Sequence, residues 1–412
     1  MYEDRLYWQD AYLLVFTARV IQCVPEGDRW RVVLDRTAFY PGTGGQPCDL
    51  GSLGPARVLQ VREEEGVVVH LTDRPLEVGS QLRGKVDAAR RRDCRQQHLG
   101  QHLFSRALEV VCGAATVGFH LGDRHVTVDV DRDSLPWEEV LRAEELANEV
   151  VWQNLPVSTR WMSRDEAAGL SLRRDLPARD LVRVVEVAGF DRAACTGTHP
   201  ARTGEVGLIK CLGTEGCRAG IRVRFVCGQR ALRDYRWRAA ALQQLARTLE
   251  TRPEDAVELA IRKLQAAEET HRSRRELEDL AADLLAEQIQ REAEEVAGCR
   301  LMVAKLPSVL AGSLVATARR ASGNHRCLAV LATVPDRLRL VVCRGGDLAV
   351  DCRRLLQQLL EPLGGRGGGT EHLAQGAAPG DRVEIDTLLE QARQQAKDAL
   401  SRASEGSAAA GP

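Results

Sequence analysis

Two pairs of metal-binding residue types stand far apart in this chain, and a fold that uses both must bring them together: His98 with His102, and Cys195 with His199. The first pair lies in "RDCRQQHLGQHLFSRAL", Arg92 to Leu108. There Leu99, Leu103, Phe104 and Leu108 recur at helical spacing, interrupted by Gly100. Residues four apart share one helix face, close enough to hold a small ligand between them. Taken alone, this pair also matches two surface histidines by chance. The second pair, in "CTGTHP", repeats the spacing. Singly, Cys195 reads as a core thiol and His199 as a turn histidine. Together, one thiolate and three imidazoles complete a tetrahedral zinc shell, whereas a hard cation demands carboxylates. The expectation is about one zinc ion per chain. Cys94, four residues before His98, competes for the fourth place, with Cys195 preferred.

The 412 residues are enough for about two to four domains. A hydrophobic fraction of 44% and a charged fraction of 28% describe a globular chain. A net charge of -1 exerts no global pull on a polyanion or an anionic membrane, so such a partner needs a local basic surface. Arg83, Lys85, Arg90, Arg91, Arg92 and Arg95 lead into the His helix and offer one, although a solvated charge run explains them equally simply. No stretch has the apolar length of a membrane span, and "MYEDRLYWQD" is unlike a secretory signal, so a cytoplasmic protein with no membrane partner is expected. The 12 cysteines lack the compact spacing of a disulfide framework and read as reduced thiols.

Patterning predicts an α+β fold. Residues 1–88 show short strand-like runs ("ARVIQCV", "RWRVVLD", "ARVLQV", "GVVVHL", "QLRGKVD") split by turns, which predicts a small β-barrel. Residues 89–228 mix the His helix, strands in "ATVGFHLG" and "HVTVDVD", a helix from Trp137 to about Trp152, and strands near "LVRVVEV" and "GIRVRFV", an α+β domain around the zinc ligands. Residues 229–296 form a helical connector with Leu242, Leu245, Leu249, Val257, Ile261 and Leu264 at coiled-coil-like steps, divided by Pro253. Residues 297–400 read as a C-terminal α/β domain, with buried strands in "CLAVLATV" and "LRLVVCRG", and residues 401–412 as a disordered tail.

The HxxxH pair, the later CxGTH and "TAFYPGTGGQPCDLG", Thr37 to Gly51, together resemble the editing domain of alanyl-tRNA synthetase and its freestanding AlaX-type relatives. "GGRGGGTEHLAQGA", Gly364 to Ala377, resembles the glycine-rich end of the DHH-associated domain found in longer members. Nothing near the N-terminus resembles a class II aminoacylation core. The resemblance therefore implies editing without charging: deacylation in trans of tRNA for alanine carrying serine or glycine. Its partner is the acceptor end of that tRNA, with a homodimer through the helical and C-terminal regions as a further implication.

The same resemblance implies roles for other residues. Gln101, Glu215 and Arg222 fall near positions where the family keeps catalytic or substrate-facing groups. An ordinary surface ion pair is the alternative for Glu215 and Arg222. Thr37, Gly44, Gly45 and Gln46 form a loop able to recognise the serine hydroxyl, or else a tight turn closing the barrel onto the editing domain. Gly367, Gly368 and Gly369 either bring backbone N–H groups to tRNA phosphates or form a turn before the last helix. Leu99, Thr43 and Thr196 depart from the usual pattern and bear on substrate selectivity. Two rival readings stand beside this one: a zinc-stabilised tRNA-binding protein without hydrolytic activity, and an editor of another mischarged tRNA, such as that for threonine.

Overall fold

The computed structural model describes residues 3–43, 45–173, 175–323, 326–379 and 384–408. The chain divides into two compact units, Met1–Leu245 and Ala246–Pro412. After a single turn α1 (Leu6–Gln9), the first unit opens with strands β1 (Val15–Glu26), β2 (Arg29–Leu34), β3 (Gly51–Leu53), β4 (Ala56–Glu64), β5 (Val67–Thr72) and β6 (Gln81–Val86). They close into a barrel of order β1-β2-β5-β4-β3-β6, which is the predicted small barrel. Strict alternation at the start of β1 sends Phe16, Ala18 and Val20 inward, where they meet Val32, Phe39, Val58 and Val61.

The helix carrying the first pair is α2 (Ala88–Cys112). Asp87 caps it by accepting from the N–H groups of Ala89 and Arg90, and Gly113, at φ 63°, ends it in the left-handed conformation. Strands β7 (Thr116–Leu121) and β8 (Val126–Val130) follow, then α3 (Trp137–Trp152), β9 (Val157–Ser163), α4 (Arg164–Ala168), β10 (Leu181–Val187) and β11 (Asp191–Ala194). Strands β12 (Ile209–Cys217) and β13 (Gly220–Cys227) complete a sheet of order β12-β13-β8-β7, while β11-β10-β9 form a separate three-stranded sheet. α2 packs on the larger sheet through Leu103, Phe104, Ala107 and Leu108. Gly100 permits the approach, because a Cβ there would lie 2.3 Å from the Cys227 sulfur.

Helix α5 (Gly228–Leu249) ends before Pro253, which occupies the first turn of the 39-residue α6 (Pro253–Arg291). The second unit continues with β14 (Glu294–Val296), β15 (Cys299–Lys305), α7 (Leu314–Ala321), β16 (Cys327–Thr333), β17 (Arg337–Arg344), α8 (Cys352–Leu360), β18 (Arg366–Gly369), β19 (Leu373–Pro379) and α9 (Ile385–Ala408). Its sheet has the order β14-β15-β16-β17-β19-β18. Every residue of β16 is buried: Leu328, Val330 and Ala332 face the core shared with α8 and α9, while Cys327, Ala329 and Leu331 face α6 and α7. Cover on both faces explains the uninterrupted apolar run.

Two expectations are corrected here. Gly367, Gly368 and Gly369 are neither a turn nor a loop; they form the edge strand β18, paired with β19. Glycine suits that edge because α8 lies so close that a Cβ at Gly367 would sit 2.7 Å from Leu356 Cδ2. The tail is not disordered from residue 401, since α9 continues to Ala408 and buries Leu400 in the core; residues 409–412 lie outside the described residues.

Candidate metal centre

His98 and His102 project from α2, and Cys195 and His199 from the loop that follows β11. One donor atom from each of the four lies within 4.8 Å of the others, and both pairs are thus brought together. The Cys195 sulfur is 3.3 Å from Nε2 of His98 and 3.3 Å from Nε2 of His199. Zinc-to-ligand bonds of about 2.3 Å to sulfur and about 2.0 Å to nitrogen place two tetrahedral donors about 3.5 Å apart, so the observed spacing fits a zinc shell. The donor chemistry, one soft thiolate with three imidazoles, fits as well.

The side chains around the ligands settle which nitrogen of two imidazoles is free. Gln46 Oε1 accepts from the backbone N–H of Thr198 at 3.0 Å, and Gln46 Nε2 donates to Thr198 Oγ1 at 2.9 Å, which identifies the amide oxygen. That same oxygen lies 2.8 Å from Nδ1 of His98. An amide oxygen only accepts, so Nδ1 carries the proton and Nε2 turns to the centre. His102 repeats the device with Nδ1 3.1 Å from Asp191 Oδ2, the other carboxylate oxygen accepting from Arg173 Nε at 3.0 Å. Carboxylate and amide partners of this kind fix ring orientation and raise ligand basicity. The buried Nδ1 of His199 makes no hydrogen bond.

The electrostatics favour a thiolate. Burial opposes charge on Cys195, yet the facing His98 and His199, with a hydrogen bond from His102, hold its pKa well below the ordinary thiol value. Burial also disfavours a charged His102, but its bonds to Asp191 and Cys195 prevail and raise its pKa. His199, where burial dominates, is pushed down to about 3. The loop itself is anchored on three sides. The buried Arg183 guanidinium donates to the carbonyls of Cys195 and Gly197, the Trp8 indole donates to the Thr196 carbonyl at 2.8 Å, and Gly197 leaves room that a Cβ would take from the His98 ring.

The other expected residues divide. Cys94 is not part of the cluster: its thiol is buried among Arg90, Asp49, Asp93 and Arg230, and burial pushes its pKa up to about 12. Gln46 is brought to the site, but as the partner of His98 rather than as an open group awaiting a hydroxyl. Gly45, at φ 87°, passes so close to Phe119 that a Cβ would lie 2.7 Å from its ring, and its carbonyl accepts from Leu121 N–H. Gly44 lies outside the described residues. Thr37 lies inside the barrel, where its buried hydroxyl accepts from the Phe39 N–H and is 2.9 Å from His70 Nε2. Gln101 is buried on α2 and donates to Ser105 Oγ at 2.8 Å. Arg222 pairs with Asp129 at 2.7 Å, not with Glu215, although the two are register partners; Glu215 is exposed, 4.0 Å from Arg224.

The departures and the basic run also have definite places. Leu99 belongs to the core beneath α2, and Thr43 bonds the Tyr40 hydroxyl. Arg83, Lys85 and Arg92 are exposed, but Arg91 is wholly buried: it binds both oxygens of Asp49 and donates to the carbonyls of Ala11 and Ala38. Asp191, Arg173 and Arg183 were not anticipated from the sequence. The signal for Asp191 was an acid four residues before Cys195, at the start of a strand.

Residues 182–223, which hold Cys195 and His199, match the family described as the threonyl and alanyl tRNA synthetase second additional domain. Residues 3–90, the barrel, match the family described as tRNA synthetases class II (A). The alanine-tRNA ligase of Korarchaeum cryptofilum is 32% identical over 92% of this chain and 44% of its own length. That of Pyrobaculum neutrophilum is 36% identical over 94% and 44%, and that of Methanopyrus kandleri 32% over 93% and 44%. The chain therefore spans less than half the length of these relatives. Among solved structures, the C-Ala domain of Aquifex aeolicus alanyl-tRNA synthetase aligns with 26% of this chain and 97% of its own at 20% identity and a TM-score of 0.24. Among the described residues, no helix is long and apolar enough to cross a membrane.

Proposed function

From a chain related to the alanine-tRNA ligases over nearly its whole length, we propose an aminoacyl-tRNA deacylase that acts in trans on tRNA for alanine charged with serine, and with glycine. The observation that carries the reading is the His98, His102, Cys195 and His199 cluster, in a region partly matched to the second additional domain shared by threonyl and alanyl synthetases. His98, His102, Cys195 and His199 would hold a zinc ion, which when bound would supply Lewis acidity for ester hydrolysis and would tie α2 to the loop after β11. The chain's own residues do the rest. Gln46 and Asp191 hold the His98 and His102 rings with Nε2 inward. Arg183 and Trp8 hold the loop carbonyls back from the centre. In this reading Gln101 serves the reacting end, and Glu215 and Arg222, opposite one another on β12 and β13, serve the acceptor strand.

A second reading, a zinc-stabilised tRNA binder without turnover, is favoured by the four-residue shell, since four protein ligands leave no open position. Multiple-turnover deacylation of Ser-tRNA for alanine separates the two. Turnover at substoichiometric protein supports the deacylase; tight binding without turnover supports the binder. The same assay run on mischarged tRNA for threonine distinguishes an editor of that pair.

A further inference from the structure

Arg95 stands out among the buried cations of α2. It is 9% exposed, and its buried Nε and Nη1 find no acceptor. Its near neighbour Arg91 shows what a satisfied buried guanidinium looks like here, with a carboxylate and two carbonyls around it. Over Arg95 lies instead the face of Tyr12, with Cζ 3.9 Å from the ring centroid. Stacking of that kind offsets part of the cost of burying the charge but leaves the N–H groups in its plane unmet. Of the acids that act on it through space, Glu205 and Asp10, neither hydrogen-bonds the guanidinium, and Glu205 uses Oε1 to accept from the Tyr12 hydroxyl and the Ala201 N–H.

The position is as telling as the missing partner. Arg95, His98 and His102 follow one another at i, i+3 and i+7, so they share one face of α2. Ala201 and Glu205, which meet Tyr12, lie just beyond His199, Glu205 in the short 3-10 helix Thr203–Val206 that follows the loop. The guanidinium thus lies beside both the ligand-bearing helix and the segment that follows the ligand-bearing loop, and Tyr12, 42% exposed, is the ring that covers it on its solvent side. If the site takes an aminoacyl ester, the amino acid offers no free carboxylate, and its amine is cationic. The nearest anion on such a substrate is the phosphodiester that joins its terminal nucleotide to the rest of the strand. A planar guanidinium matches phosphate oxygens well.

We propose that Arg95 is a substrate-positioning residue that binds the terminal phosphodiester of the acceptor strand, presenting the adjoining ester to the metal centre. This rests on the deacylase or tRNA-binding reading above.

The test uses the full zinc-loaded protein and an uncharged RNA hairpin ending in CCA, read by fluorescence anisotropy. Two ligands are compared, one natural and one with the last phosphodiester replaced by a neutral methylphosphonate. Arg95→Met should weaken binding of the natural RNA by about tenfold or more, the usual scale for a charged hydrogen bond, without changing zinc content. The methylphosphonate should weaken the wild-type protein by a similar factor and leave Arg95→Met unaffected, since a contact can be lost only once. Equal penalties for the methylphosphonate in both proteins overturn the proposal and make Arg95 structural. Arg95→Gln gives the same comparison if the methionine variant does not fold. Wild-type protein that ignores the hairpin altogether would bring down the tRNA reading itself, a result distinct from equal penalties.

Discussion

Replacing Gln46 with leucine tests whether a barrel loop governs the metal centre. The side chain makes three contacts at 2.8 to 3.0 Å: with His98 Nδ1, with the Thr198 N–H and with the Thr198 hydroxyl. Leucine fills similar space but strands the His98 Nδ1–H and the Thr198 N–H in a buried setting, each at a cost of about 1–3 kcal/mol. Part of that cost is relieved by rotation of the His98 ring, which moves Nε2 off the centre. Loss of such an outer partner typically weakens metal affinity by about 10–100-fold, or roughly 1.4–2.7 kcal/mol. Zinc affinity, measured by competition with a chromophoric chelator, should fall within that range for Gln46→Leu. Gln46→Glu keeps an acceptor for each donor and should stay near wild type. A folded Gln46→Leu protein with zinc affinity within about twofold of wild type would refute the reasoning and return Gln46 to substrate recognition.

Other outcomes follow from the same contacts. The Cys195→Ala, His199→Ala double variant should lose its zinc by metal analysis, while Cys94→Ala retains about one ion per chain, as expected of a four-ligand site that excludes Cys94. Arg91→Met strands a carboxylate, Asp49, with no exposure and should cost about 3–5 kcal/mol in urea unfolding; a loss below about 1 kcal/mol would show that the pair relaxes or hydrates. His70 is buried, and burial pushes its pKa down to about 4. Because the folded value lies below the ordinary 6.5, the unfolded chain binds more protons between those pH values, so this stability is present above about pH 6.5 and lost as pH falls towards 4. The loss is worth roughly 3 kcal/mol, and replacing His70 with a non-titrating residue should flatten the acid limb of a thermal-melt profile. Thr37→Val should lower barrel stability by about 1–3 kcal/mol through the orphaned His70 nitrogen and leave the ratio of serine to alanine deacylation unchanged.

The four candidate ligands, which the fold brings together, could be picked from the sequence because zinc chemistry restricts residue types and helical spacing restricts geometry. The barrel and α3 were legible because a half-buried element must alternate in register with its period, as Val15–Val20 and the Trp137–Trp152 segment do. Strand β12 was not, since Gly213 and Gly216 interrupt the apolar pattern of "IKCLGTEGC". Its place is set by pairing with β13 and by Glu144, which accepts from Cys211 N–H, contacts distant in sequence. The glycine run of β18 misled in the same way, because tertiary packing under α8 overrode the local preference for a turn. The role of Gln46 beside His98, and Arg173 and Arg183 altogether, were beyond reach for a related reason: a hydrogen-bond partner contributed from another element has no periodicity to betray it.

Those unreadable contacts determine how far the metal half depends on the barrel. Many links cross between them within the first unit, and three bear on the helix and the sheet beneath it: Gln46 to His98, Asp49 to Arg91, and the Gly45 carbonyl to Leu121. Two of the three land on α2, seven residues apart, and so fix both the position and the rotation of the helix face that carries the ligands. A helix anchored only by its apolar side against β8 and β13 retains freedom to roll by a fraction of a residue, enough to carry Nε2 of His98 away from Cys195. The buried Arg91 to Asp49 pair removes that freedom by demanding one orientation, because any roll breaks charged hydrogen bonds that no solvent replaces. The loop from the barrel thus holds the helix, and the helix with the later loop holds the four candidate ligands together.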